Sequence, residues 1–357
     1  MNFENISHVQ LSLLKACLAD NLIEREIAVR DWEANVNINE LDFSSLRLIS
    51  YFFYQNQNDK IYTKYDKRLK VIYKHWWLRS QHINHQLKEV QKILSDAGIQ
   101  VVVIKGASIK CHYEKEELRT MADFDLLVSK NDLNLALELV KQLDFKPNAF
   151  TELCLQKGKK LFLDFRHAIP LSNFKNNTQL DLHWKIGSKC SESFTNSLWQ
   201  HLEDYGINFN SKKPALAYEV FMIIIHAVDT ENRDNLNWII DIAVINKKYG
   251  HSFWLEARQI AISENKLNLF DYGCSLLIKL GLYAPNPGKV NIPKTTAFFL
   301  ENRVGIKRFQ LWKSRFFHKL ITIQRLFPNS NIFWRSYQLF RNLNLAILIR
   351  ILKKRTS

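Results

Sequence analysis

Asp123 and Asp125 stand two residues apart in Ala122-Asp123-Phe124-Asp125-Leu126-Leu127-Val128, a run with the period-two alternation of a β-strand. On a strand both carboxylates leave one face, while Phe124, Leu126 and Val128 leave the other toward a core. Two like charges side by side repel, so such a pair either lies at a solvated edge or holds a cation. Carboxylate oxygens suit Mg²⁺, a hard ion usually held by one or two carboxylates plus substrate phosphates. Upstream, Val101-Val102-Val103-Ile104 ends in Lys105-Gly106, and a short helical pattern follows. A helix start after glycine offers an anion free N–H groups and a favourable dipole. Lys105 and Ser108 are placed to add phosphate contacts. One short strand–helix–strand unit thus combines a phosphate cradle with a metal clamp.

A third carboxylate would complete a two-metal site. In Thr178-Gln179-Leu180-Asp181-Leu182-His183-Trp184, alternation sends Leu180, Leu182 and Trp184 to one face and Asp181 and His183 to the other. Asp164 is an alternative third carboxylate on a poorer strand pattern. His183 either positions substrate near the metals or is a hydrogen-bonded structural histidine, and His167 is a weaker candidate of the same kind. Arg119, four residues before Asp123, either reaches a phosphate oxygen as a fork donor or pairs with Glu116. His226 and Asp241, on apolar helical segments, read as satisfied core or capping groups.

Lys-Gly at a strand end, Asp-x-Asp and a later Asp on its own strand form the arrangement of the nucleotidyltransferase superfamily related to DNA polymerase β. More closely, the chain resembles the bacterial uncharacterised nucleotidyltransferase family. The residues that carry the resemblance are Ile104-Lys105-Gly106, Arg119, Asp123-Phe124-Asp125-Leu126-Leu127-Val128 and Asp181-Leu182-His183-Trp184. Further similarity lies in Phe221–His226 followed by Trp238-Ile239-Ile240-Asp241, and in Leu326-Phe327-Pro328. The wider superfamily has Gly-Ser at the strand end, where this chain has Gly106-Ala107-Ser108.

The resemblance implies a polymerase β-like core and metal-dependent transfer of an NMP from an NTP, ATP among them, to an acceptor hydroxyl, releasing pyrophosphate. Asp123 and Asp125 would bind two Mg²⁺ (or Mn²⁺) ions, with Asp181 holding the ion that activates the acceptor and taking its proton. Lys105, the Gly106 amide, Ser108, Arg119 and His183 would contact the nucleotide. The acceptor is a protein side chain, a small molecule or sugar, or an RNA end.

Elements on either side must position this unit. Helical patterns run over His8–Leu18, Phe43–Tyr54 and Lys67–Ala97, the last amphipathic and ending near Gly98. Asn131–Leu143 reads as the helix after the Asp-x-Asp strand, with Asn131 as its cap. Lys159–Leu171 and Thr178–Ile186 read as two strands of a hairpin. Four more helices are expected over 214–229, 235–249, 252–263 and 266–282. The expected organisation is a 1–97 helical region, a 98–210 α/β core, a 211–285 helical bundle and a 286–357 basic aromatic helical region. The fold class is α+β, mainly helical, around a small mixed sheet.

Composition agrees: 46% apolar residues in 357 supply a large core, and 10 Gly with 7 Pro argue against a loop-rich β sandwich. Five scattered cysteines with no CxxC read as free buried thiols rather than a zinc site or disulfide framework. No secretory leader or membrane-spanning run is visible, so a cytoplasmic protein is expected. Residues 301–357 hold thirteen Lys or Arg against one acid, Glu301, so most of the formal charge of +15 falls there among interleaved aromatics. That segment reads as a solvated helical cap, as a surface for an anionic membrane, or as one for nucleic acid. Two rival functions follow, a non-catalytic nucleotide-binding scaffold and a basic adaptor acting through this tail, the latter peripheral at a membrane or bound to RNA.

Overall fold

The computed structural model describes residues 6–157, 159–187, 190–206, 211–228 and 236–288, all within one compact unit, Met1–Ile292. The basic segment 301–357 and Leu326-Phe327-Pro328 lie outside the described residues. Four helices open the chain: α1 (His8–Leu18), α2 (Leu22–Asn35), α3 (Phe43–Asn58) and the long α4 (Asp66–Asp96). Side-chain oxygens of Ser7, Asn21 and Asp42 cap the first three by accepting backbone N–H bonds. α4 buries Leu69, Trp76, Ile83, Leu87, Val90 and Leu94, a stripe at helical spacing. It ends at Gly98, whose φ of +74° suits glycine. Trp76 is buried and donates from Nε1 to the Leu46 carbonyl at 3.0 Å, whereas Trp77 is exposed.

The central unit follows: β1 (Val101–Ile104), α5 (Gly106–Ile109), β2 (Phe124–Leu127), α6 (Leu133–Gln142), β3 (Lys146–Pro147), α7 (Ala149–Lys157), α8 (Lys159–Phe165), β4 (Ala168–Asn173) and β5 (Thr178–His183). Then come α9 (Glu192–Gln200), β6 (Leu202–Asp204), β7 (Ser211–Pro214) and the helices α10 (Leu216–Val228), α11 (Asn237–Tyr249), α12 (Phe253–Ser263) and α13 (Leu267–Lys279). The seven strands form one mixed sheet in the order β3-β4-β5-β2-β1-β7-β6. β1 and β2 are antiparallel, β2 and β5 parallel, and β4 and β5 an antiparallel hairpin.

Several boundaries differ from expectation. Lys159–Phe165 is helical, so the hairpin begins only at Ala168, and Asp164 is exposed on α8 rather than on a strand. Leu161-Phe162-Leu163 is too short an apolar run to distinguish strand from helix by period. α6 starts two residues beyond Asn131, after a turn closed by Ser129 and Asp132. Of the five cysteines only Cys17 and Cys274 are buried, and none is in a disulfide.

The sheet separates two apolar cores. Val101, Val103, Phe124, Leu126, Val128, Leu180, Leu182 and Trp184 pack with α4 and α6. Val102, Ile104 and Leu127 face the other core, which the N-terminal helices share with α10–α13. The alternation read in the sequence therefore holds on β2 and β5, and Asp125 and Asp181 leave the opposite face from Phe124 and Leu180.

Two buried ion pairs fasten the connection between β1 and β2 to the helices. Arg119 Nε and Nη2 donate to Asp241 Oδ1 and Oδ2 on α11 at 2.6 and 2.9 Å, and the Tyr113 hydroxyl donates to the same Oδ1 at 2.6 Å. His112 Nε2 meets Glu219 Oε2 of α10 at 2.7 Å, and its Nδ1 meets the Tyr249 hydroxyl at 2.9 Å. Burial works against the His112 charge, but hydrogen bonds to Cys111 and Glu219 outweigh it and raise the pKa from 6.5 to about 10.

Removing one partner of a buried pair strands the other charge. Asp241→Asn is expected to lower unfolding free energy by about 3–5 kcal/mol, while Arg119→Met/Asp241→Leu recovers most of the loss; urea unfolding measures both. The His112 contribution is complete below pH 6.5 and disappears as pH rises through about 10. Stability of the wild type should therefore fall across that interval more steeply than that of His112→Asn, as thermal melts at stepped pH would record.

Candidate active site

Register builds the site. In the parallel β2–β5 pair, Asp125 is the Cα partner of Asp181 and Leu127 of His183. Asp125, Asp181 and His183 accordingly come from neighbouring strands on one face. One potential ligand atom from each lies within 4.8 Å of the others. Asp125 and His183 are buried, Asp181 is half-buried, and Asp123 is exposed just before β2.

Lys105 closes the cluster. It sits between β1 and α5 with φ +55° and ψ −135°, a conformation that costs a non-glycine residue about 1–3 kcal/mol. From this elbow its Nζ donates to Asp125 Oδ1 and stands 3.4 Å from His183 Nε2. His183 Nδ1 lies 3.1 Å from the Lys185 carbonyl, a bond only a protonated nitrogen can make. His183 Nε2 lies 2.9 Å from Asp125 Oδ1. The Lys105 ammonium contacts both atoms. The clustered donor set fits a divalent cation: two carboxylates and an imidazole whose second nitrogen is held by a carbonyl, a common support for metal-ligating histidines.

The charges are unequal. Burial pushes the Asp125 carboxyl up, but Lys105 and His183 outweigh that and hold it below the usual range. Asp181 is raised, by burial and then by Asp125. Asp123 is raised as well, by loss of water to the surrounding protein and then by Asp125 and Asp181. The His167 ring lies 5.3 Å from that of His183; burial first, and then the charges of His183, Lys105 and Arg166, push its pKa down to about 3.

The other residues singled out in the sequence have different partners. The Ser108 side chain is fully buried, and its hydroxyl donates to the Lys105 carbonyl at 3.1 Å. Gly106 opens a helix of only four residues. Arg119 is committed to Asp241 rather than to Glu116, which pairs with Lys110 at 2.9 Å. Its remaining Nη1 donates to the Thr120 carbonyl at 2.8 Å. His183, read as a nucleotide contact near the metals or a structural histidine, lies in the candidate metal cluster with two of the three aspartates.

Residues 44–280 match the profile described as uncharacterised nucleotidyltransferase, so the chain belongs to that family. No curated protein and no solved structure matches the chain.

The two strand carboxylates should respond oppositely to neutralisation. Asp181 carries a raised pKa and is strained when ionised, so Asp181→Asn is expected to stabilise the metal-free protein at pH 7 by about 0.2–1 kcal/mol. Asp125 has a lowered pKa and contributes stability above its unfolded value, so Asp125→Asn should destabilise by about 1–3 kcal/mol. Chemical denaturation in EDTA reads both signs.

Proposed function

Taking membership of the uncharacterised nucleotidyltransferase family as the premise, we propose that this protein transfers an NMP from an NTP to an acceptor hydroxyl and releases pyrophosphate. The observation that carries the reading is the convergence of Asp125, Asp181 and His183 on one point, with Asp123 at its rim. A divalent cation held there would supply Lewis acidity at the α-phosphate and charge for the entering and leaving oxygens.

The protein's own groups do the remaining work. Asp181 accepts the acceptor's proton as its oxygen bonds to the α-phosphorus and the bond to the β-phosphate oxygen breaks. Asp123 joins the ligand set from the solvent side. Lys105, whose ammonium lies beside Asp125, would bind the phosphates along with the Gly106 amide. His183, fixed by the Lys185 carbonyl, orients the cluster. Imidazole suits Mn²⁺ better than Mg²⁺, which favours oxygen-only shells, so Mn²⁺ is the preferred ion. The acceptor is a protein, a small molecule or sugar, or an RNA end.

One observation favours a second reading, a nucleotide-binding scaffold without transfer. The Lys105 ammonium already balances Asp125, so the cluster holds together without a metal.

The deciding experiment offers each α-labelled NTP with Mn²⁺ or Mg²⁺ to the protein in host lysate. Label should move to an acceptor with wild type. Loss of a cation ligand costs several kcal/mol of transition-state stabilisation, so Asp125→Asn and Asp181→Asn should fall by about a thousandfold. His183→Gln should lose at least about tenfold and show less preference for Mn²⁺. Nucleotide binding with no transfer from any NTP would leave the scaffold reading.

A further inference from the structure

Arg47 lies far from the motif in sequence, on α3, yet its side chain reaches the turn that leads into Asp123. Its Nη2 donates to the Thr120 carbonyl at 3.1 Å, and its own carbonyl accepts from Thr120 Oγ1 at 3.0 Å. With the Asn237 amide oxygen turned inward, that oxygen accepts from Arg47 Nε at 3.2 Å and from Arg119 Nη1 at 3.1 Å. One amide oxygen thus sits between two guanidinium groups. Arg119 has its carboxylate, Asp241. Arg47 forms no ion pair with a carboxylate among the described residues, and its Nη1 makes no hydrogen bond among them. The guanidinium carbon lies 5.7 Å from the centroid of the Phe43 ring, and Phe43 is itself exposed.

We propose that Arg47, with the charge of Arg119 behind it, forms an anion subsite beside Asp123 that takes the phosphates of the nucleotide or the pyrophosphate they leave as. The assignment rests on the nucleotidyl-transfer reading for the identity of the anion, though not for the existence of the subsite. Burial and then Arg119 push the Arg47 pKa down to about 10, and the charges of Asp123 and Asp241 offset this only in part. A phosphate oxygen on the free Nη1 would supply that compensation with a charge-assisted hydrogen bond. Arg119 cannot take that part while Asp241 holds it. Arg47 also gives the N-terminal helices a direct hold on the substrate.

The test uses the full chain and inorganic pyrophosphate as the probe, with Mg²⁺ present, followed by calorimetry on wild type, Arg47→Met and Arg47→Lys. Because Arg47 bonds the Thr120 carbonyl, the melting temperature of each unliganded variant is recorded first. Affinity is expected to fall at least about tenfold in Arg47→Met and to recover partly in Arg47→Lys at equal folded fraction. If transfer is observed, KM for the NTP should rise more than kcat falls. Unchanged pyrophosphate affinity in Arg47→Met, or no binding to wild type, overturns the subsite. Arg47-dependent binding in a protein that transfers no nucleotide keeps the subsite and removes the reaction.

Discussion

Everything at the candidate site depends on one strand pairing. The parallel ladder of β2 and β5 sets Asp125 beside Asp181, and alternation then brings His183 to the same face. A sheet gains nothing from two carboxylates at this place. Burial and then the Asp125 charge raise Asp181, and a positive charge nearby offsets the cost. The chain provides one at the expense of backbone strain, by holding Lys105 at positive φ so that its ammonium reaches Asp125. A fold that accepts both costs at neighbouring positions brings together three side chains that could hold a cation.

The helices extend that arrangement. The connection from β1 to β2 has only four-residue α5 and two 3-10 turns, too little to fix its own position. Arg119 anchors it to Asp241 on α11 and His112 anchors it to Glu219 on α10. Arg47 and Thr120 tie the same turn to α3, and Arg79 of α4 donates to the Ala122 carbonyl at 2.9 Å. Four helices from both ends of the described chain thus converge on residues 112–122, immediately before Asp123. This accounts physically for a family match that spans residues 44–280 and not the sheet alone.

The parts legible in the sequence have a strong period. β2 and β5 were readable because charged and apolar residues alternate, and that alternation also gave the faces of Asp125, Asp181 and His183. α1, α3 and α4 were readable from apolar stripes. α2 was not, because Glu24, Arg25, Glu26, Arg30, Asp31 and Glu33 place charge nearly all round it. β6 and β7, with sequences Leu-Glu-Asp and Ser-Lys-Lys-Pro, are short and polar and carry no strand signal. Arg119 was read as a phosphate fork or a partner of Glu116 because its actual partner is 122 residues away. No local pattern links Arg119 to Asp241, which was read only as a satisfied core or capping group. A separation of 73 residues from Thr120 hid Arg47 in the same way. Isolated acids or arginines on apolar helices are worth testing as partners for each other before either is assigned to a ligand.

The central claim is that Asp125, Asp181 and His183 hold one divalent cation between them. The most direct measurement is anomalous diffraction at the manganese edge from crystals grown with Mn²⁺. The account expects a peak about 2.0–2.2 Å from an oxygen of each aspartate and from His183 Nε2, with the Lys105 ammonium withdrawn from Asp125. A map with no peak there, and Lys105 still bonded to Asp125, would contradict it.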